Sequence, residues 1–237
     1  MSSRVSVRPN SVAKQRIQMG NKAKGRGPLI RHNGGNLTTL LHPMTRHRFD
    51  LQDLPATPWK NGGGLTREVL WHPAGADLNG FDWRVSVAQI DTDGPFSAFP
   101  GVDRVITLIK GAGVLLRSEC GQVQHRLGAP LSPFAFSGDL AIQGHLLDGA
   151  CQVFNVLTRR AVCRAQVQVV RSACDWPAQS QGLFLALQGQ WQLGGDEAQP
   201  LMPHQGLWWQ GEALPWKLRP QGADPVLLAL TVVLLAT

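Results

Sequence analysis

The chain of 237 residues holds four cysteines, Cys120, Cys151, Cys163 and Cys174, and no CxxC pair among them. That is too few, too irregularly spaced, for a disulfide framework or a structural zinc site, and it points to a reducing, cytoplasmic setting. Signatures of catalysis are missing too. There is no GxSxG elbow, no phosphate loop, no GxGxxG and no HExxH. The seven histidines, at 32, 42, 47, 72, 125, 145 and 204, form no HxH pair. Nothing therefore nominates a metal site, and neither metal nor cofactor is expected. Tyrosine is absent while tryptophan occurs eight times, an imbalance without an evident physical cause. The apolar run from Val226 to Ala236 is too short to span a bilayer as a helix and reads as a buried final strand. The N-terminus is basic but lacks the apolar segment of a signal peptide.

Acidic residues are absent from positions 1–49, which hold ten Lys or Arg. From Asp50 onward thirteen Lys or Arg face sixteen Asp or Glu, a net charge of −3. The formal charge of +7 therefore belongs to a tail, and nucleic acid is not the expected partner. Residues 1–43 read as a basic, disordered extension, with a nucleic-acid-binding arm as the alternative and Met44 as an alternative start.

Beyond Phe49 the pattern is one of short strands divided by Gly and Pro, with no amphipathic helix of three turns. Phe81, Trp83, Val85 and Val87 alternate with Asp82, Arg84, Ser86 and Ala88. Leu65, Arg67, Val69 and Trp71 alternate with Thr66, Glu68 and Leu70. Such spacing predicts an all-β sandwich or barrel. The series divides near Arg160, because Val105–Gly111 and Leu183–Gly189 echo each other. Two β units follow from this, residues 44–160 and 161–237.

The densest stretch is Pro58-Trp59-Lys60-Asn61-Gly62-Gly63-Gly64-Leu65-Thr66-Arg67-Glu68. Three glycines give unusual backbone freedom beside a large aromatic, a cation and an amide. A hairpin turn capped by Trp59 is the plain reading. A ligand-facing loop is the functional one. The stretch Asp93 to Arg104, with two Gly, two Pro and two Phe, reads as a rigid loop anchored by Phe96 and Phe99. Arg104 enters a buried strand and needs a partner, either Asp103, Asp139 or an anionic ligand. Arg84 and Arg67 pose the same question, Asn155, Arg159 and Arg160 close the first unit, and several arginines in one barrel suit a carboxylate, with salt bridges inside the protein as the competing explanation. The expected ligand contacts are Trp59, Lys60, Asn61, Arg67, Glu68, Arg84, Arg104, Phe136, Asp139, Asn155 and Arg159. No catalytic residue is assigned, and Cys151 reads as a small core residue.

Residues 58–68, Phe81–Ala88, Asp93–Arg104, Phe134–Asp139 and Asn155–Arg160 together resemble the HutD/Ves family of small bicupin proteins, over roughly residues 45–237. The resemblance implies two stacked cupin-like (jelly-roll) barrels in one chain. It also implies a role in moderating histidine utilisation, through an intermediate such as urocanate or N-formylglutamate. The partner expected is thus a small carboxylated metabolite, not a membrane, and a homodimer stays open. The alternatives are a cupin-fold enzyme using Glu68 or Asp139 as acid or base, and a Ves-like stress-associated protein.

Overall fold

The structure is a computed structural model that describes residues 45–194 and 199–235. The extension at 1–43 and Met44 lie outside the described residues. Every element is a strand: β1 (Thr45–Asp50), β2 (Ala56–Pro58), β3 (Gly64–His72), β4 (Trp83–Ile90), β5 (Gly94–Phe96), β6 (Val102–Lys110), β7 (Val114–Ser118), β8 (Gln124–Leu127), β9 (Phe134–Ser137), β10 (Ile142–Leu146), β11 (Cys151–Arg159), β12 (Cys163–Val170), β13 (Cys174–Leu193) and β14 (Gln205–Leu234). Among the described residues no helix is long and apolar enough to cross a membrane.

Three sheets result. A six-stranded antiparallel sheet runs β2-β3-β4-β11-β6-β9. A four-stranded sheet runs β5-β10-β7-β8, and the third joins β1, β14, β12 and β13. In the third, Leu183 of β13 pairs with both Trp208 and Leu230, so the two ends of β14 flank the middle of β13.

The six-stranded sheet is central because both of its faces are used. Alternation on β4 sends Trp83, Val85 and Val87 one way, into a core with Phe154 and Val156 of β11 and Leu183, Leu185, Leu228 and Leu230 of the third sheet. Ala88 and Ile90 go the other way, packing with Ile106, Leu108 and Val153 against Val114, Leu116 and Ile142 of the four-stranded sheet. A third core gathers Trp176, Trp191, Trp209 and Trp216 around Phe184 in the C-terminal region. Here the abundant tryptophans find their use as bulk.

Three details depart from the sequence pattern. A bulge after Glu68 shifts the register so that Leu70, not Val69, pairs with Val85. Past that point the simple alternation of β3 is broken, which puts Leu70 in the core and Trp71 opposite Arg84. β1, β2 and β5 have no apolar alternation to announce them; β5 carries Pro95 and lies at a sheet edge, where a missing N–H is tolerated. Finally, Gly211 and Gly222 bend β14 with φ of 116° and 94° instead of ending it, so the final strand expected from Val226 is the last part of one continuous element that begins at Gln205.

Candidate functional site

The glycine triplet is built for close approach. Gly62 has φ of 70°, and a Cβ on Gly64 would lie 2.1 Å from the Gln89 carbonyl oxygen. Gly64 thereby lets the loop sit against β4 and under the Trp59 ring. Asn61 completes the turn by accepting a 3.1 Å bond from the Gly63 N–H. The Trp59 indole N–H donates to Thr66 Oγ1 at 2.8 Å, which fixes the ring at the edge of a cavity.

That cavity, about 230 Å³, lies over the even-numbered face of β4. Its lining includes Trp59, Arg84, Ser86, Phe96, Arg104 and Asn155. Cross-strand register explains the grouping. Glu68 pairs with Ser86 and Ser86 with Asn155, while Arg84 and Arg104 both pair with Leu157. Paired residues share a face, so these side chains project together.

The two arginines there differ in kind. Arg84 donates through Nε to Glu68 Oε2 at 2.8 Å, makes a second bond to Glu68 Oε1, and stacks over Trp71 at 4.6 Å. It is neutralised. Arg104 is 4% exposed and has no carboxylate partner among the described residues. Its guanidinium makes two long bonds of 3.3 Å, to the Ser97 carbonyl and Asn155 Oδ1, and its Nε has none. Three phenylalanine rings, Phe96, Phe99 and Phe136, lie 5.4, 5.8 and 5.1 Å from it. Their faces attract a cation but do not neutralise it. Burial and the nearby Arg84 cation push the Arg104 group down to about 10, so it stays charged at neutral pH.

The carboxylates that the sequence offers Arg104 are engaged elsewhere. Arg160 takes Asp103 at 2.8 Å and Asp139 at 2.7 Å. Asp139 also accepts from the Ser137 hydroxyl at 2.6 Å and the Gly101 N–H at 2.7 Å. The Ser137 hydroxyl, the Gly101 N–H and Arg160, in that order, hold its carboxyl well below the ordinary value of 3.8. A depressed carboxylate contributes stability above its unfolded pKa and loses it as pH falls through the folded one. Asp139→Asn is therefore expected to lower stability at neutral pH and to match wild type increasingly as pH drops below about 4. Denaturant unfolding at both pH values measures this.

Of the expected contacts, Trp59, Arg84, Arg104 and Asn155 line the cavity itself. Glu68 reaches its edge through Arg84. Lys60 and Asn61 line an adjoining concavity that shares Trp59, Pro95, Phe96 and Ser97 with it. Phe136 stacks on Arg104 from the neighbouring strand β9. Arg67 pairs with Val87 and so takes the opposite face, towards the third sheet. Asp139 belongs to the exposed Arg160 network. Arg159 binds main-chain oxygens of the β3–β4 loop. Sequence reasoning missed Thr66, Ser86 and Ser97 and treated Phe96 and Phe99 as packing anchors. Ser86 has the same parity as Arg84 on β4, a signal strong enough to have found it.

Cys151 is buried, and desolvation pushes its thiol up to about 11, which suits a core residue rather than a nucleophile. Among the described residues no three His, Cys, Asp or Glu side chains gather as a metal centre requires.

Layered β-sheets enclosing a side-chain-lined cavity define a cupin-like β fold, and the chain aligns with a Bacillus subtilis oxalate decarboxylase over 79% of each chain at a TM-score of 0.53. At 10% identity that likeness concerns the fold alone. Residues 51–228 match the HutD family, and the chain belongs to the HutD/Ves family. It is 39% identical to Protein Ves of Cronobacter sakazakii over 163 residues, 68% of this chain and 86% of the relative. It also aligns with HutD from Pseudomonas fluorescens at 30% identity and a TM-score of 0.71, over 81% of this chain and 100% of that one.

Proposed function

We propose that this protein is a cytoplasmic bicupin that binds a small carboxylate at Arg104 and thereby modulates histidine utilisation. The observation that carries this reading is the buried guanidinium without a counter-ion. A charge removed from water is costly unless paired, and Asp103 and Asp139 serve Arg160 while Glu68 serves Arg84. Arg104 lines the cavity, so a carboxylate entering it would meet a guanidinium without a counter-ion, and a cation is matched by an anion in a low-dielectric site.

The cavity volume, about 230 Å³, lies below the roughly 300–1,000 Å³ of drug-sized sites, so a metabolite of few heavy atoms fits best. Urocanate and N-formylglutamate are the candidates that the family resemblance suggests. Two stacked barrels, the first of them holding the ligand, are consistent with the central sheet packing on both sides.

Calorimetric titration of the full chain with urocanate, N-formylglutamate and histidine tests the reading. Saturable binding of at least one acid is expected at neutral pH, where Arg104 is charged. Absence of binding by all three at millimolar concentration would overturn it.

A further inference from the structure

One large apolar side chain on the cavity wall is unexpectedly exposed. Leu78 is 54% accessible and yet lines the same cavity as Arg104 and Asn155. It lies in the loop between β3 and β4, and the loop is built to present it. Asp77 Oδ1 accepts from the Asn79 and Gly80 N–H groups at 2.9 and 3.0 Å, folding the chain tightly around the leucine. What sets this leucine apart is its place: it lines the cavity mouth, so its side chain meets whatever extends outward from Arg104.

Arg159 holds this loop in place. Its NH2 donates to the Asn79 carbonyl at 2.7 Å and its Nε to the Phe81 carbonyl at 3.1 Å, with the guanidinium over the Phe81 ring at 5.6 Å. The two oxygens lie either side of Gly80, so one side chain clamps the loop just after Leu78. Arg159 has no carboxylate partner among the described residues. It also ends β11, the strand that carries Asn155 and that is paired on both sides, by β4 and by β6. The clamp therefore ties the loop to the same rigid strand that supplies one wall of the anion site.

We propose that Leu78 is the roof that sets the largest acid the cavity accepts, and that Arg159 is the positioning residue that fixes the roof's height. The inference rests on the reading that the cavity binds a carboxylate. A very small acid sits beneath the leucine without touching it. A longer acid anchored at Arg104, urocanate and N-formylglutamate included, meets the leucine and has to lift the loop against the two bonds from Arg159.

Formate and benzoate are suitable probes of small and large monocarboxylates. Their affinities for the full chain are compared between wild type, Leu78→Ala, Arg159→Gln, Arg159→Lys and the Leu78→Ala/Arg159→Gln double variant. Leu78→Ala should raise the benzoate-to-formate affinity ratio about tenfold, the scale on which a hydrophobic wall discriminates by size. Arg159→Gln should move the ratio the same way, Arg159→Lys less, and the double variant no further than the larger single change. A ratio unchanged within about twofold in Leu78→Ala, or effects of the two single changes that multiply, overturns the proposal. If wild type binds neither acid, the carboxylate reading fails and this inference with it. If wild type binds and only the ratios stay fixed, the roof alone is rejected. Thermal melts identify any variant that fails to fold, in which case Leu78→Ala and Arg159→Lys decide, since Leu78 is exposed and lysine keeps a donor.

Discussion

Replacing Arg104 with methionine is expected to abolish carboxylate binding while leaving the unliganded protein as stable as before. Charge-assisted hydrogen bonds contribute roughly 1.5–3 kcal/mol each, so losing the anchor costs binding about 100-fold or more. Stability follows a different account. The guanidinium is buried and makes only two bonds of 3.3 Å, with Nε unpartnered. Removing an uncompensated buried charge favours folding, while leaving the Ser97 carbonyl and Asn155 Oδ1 short of a donor opposes it. Each of these terms is on the order of 1–3 kcal/mol, so the net change should lie within about 1 kcal/mol of zero or be stabilising. An arginine kept for structure alone would give the opposite result, a marked drop in Tm. Calorimetric titration and a thermal melt on the same sample separate the two. The measurement turns on a dissociation between function and stability, which few buried residues show.

The second large effect concerns Trp83. It is fully buried in the core between the six-stranded sheet and the third sheet, and its indole N–H donates to Gln181 Oε1 at 2.8 Å. Trp83→Ala removes most of that packing and strands the amide oxygen. A loss of about 3–5 kcal/mol is expected, against a total of roughly 5–15 kcal/mol for a typical fold. Trp83→Phe restores much of the bulk but not the hydrogen bond, and should cost about 1–2 kcal/mol. Trp83 is adjacent to Arg84 on β4 and faces the other way. The alanine variant should thus lose carboxylate binding only as it unfolds, with affinity intact at temperatures where the fold persists. Denaturant curves monitored alongside ligand titration check both halves.

The parity of β4 made much of the site legible. Trp83, Val85 and Val87 read as one face and Arg84, Ser86 and Ala88 as the other, and the structure uses the first for core and the second for cavity, while Phe81, which precedes β4, leaves that core and packs with Val102 and Leu157. Arg67 was misplaced by its neighbourhood: it follows the glycine triplet in sequence, yet pairing with Val87 turns it to the opposite face. Periodicity cannot reveal the bulge at Glu68, because an inserted residue is identified only by the partner strand it fails to match. Likewise, the sequence shows that Asp103, Asp139 and Arg104 are present but not which of them meet. The fold gives both acids to Arg160 and so frees Arg104 for a ligand. Arg159 looked like one more anion contact. Only the path of the β3–β4 loop shows that it grips main-chain oxygens instead.

The most direct test observes Arg104 itself. Its Nε–H has no partner in the free protein, so in a ¹⁵N-resolved spectrum assigned by its disappearance in Arg104→Lys it should respond to a bound carboxylate. Addition of formate is expected to shift that resonance downfield along a saturable curve that overlays the calorimetric isotherm. A resonance unmoved at saturating formate would contradict the account, because the acid would then be binding away from the only buried guanidinium without a counter-ion among the described residues.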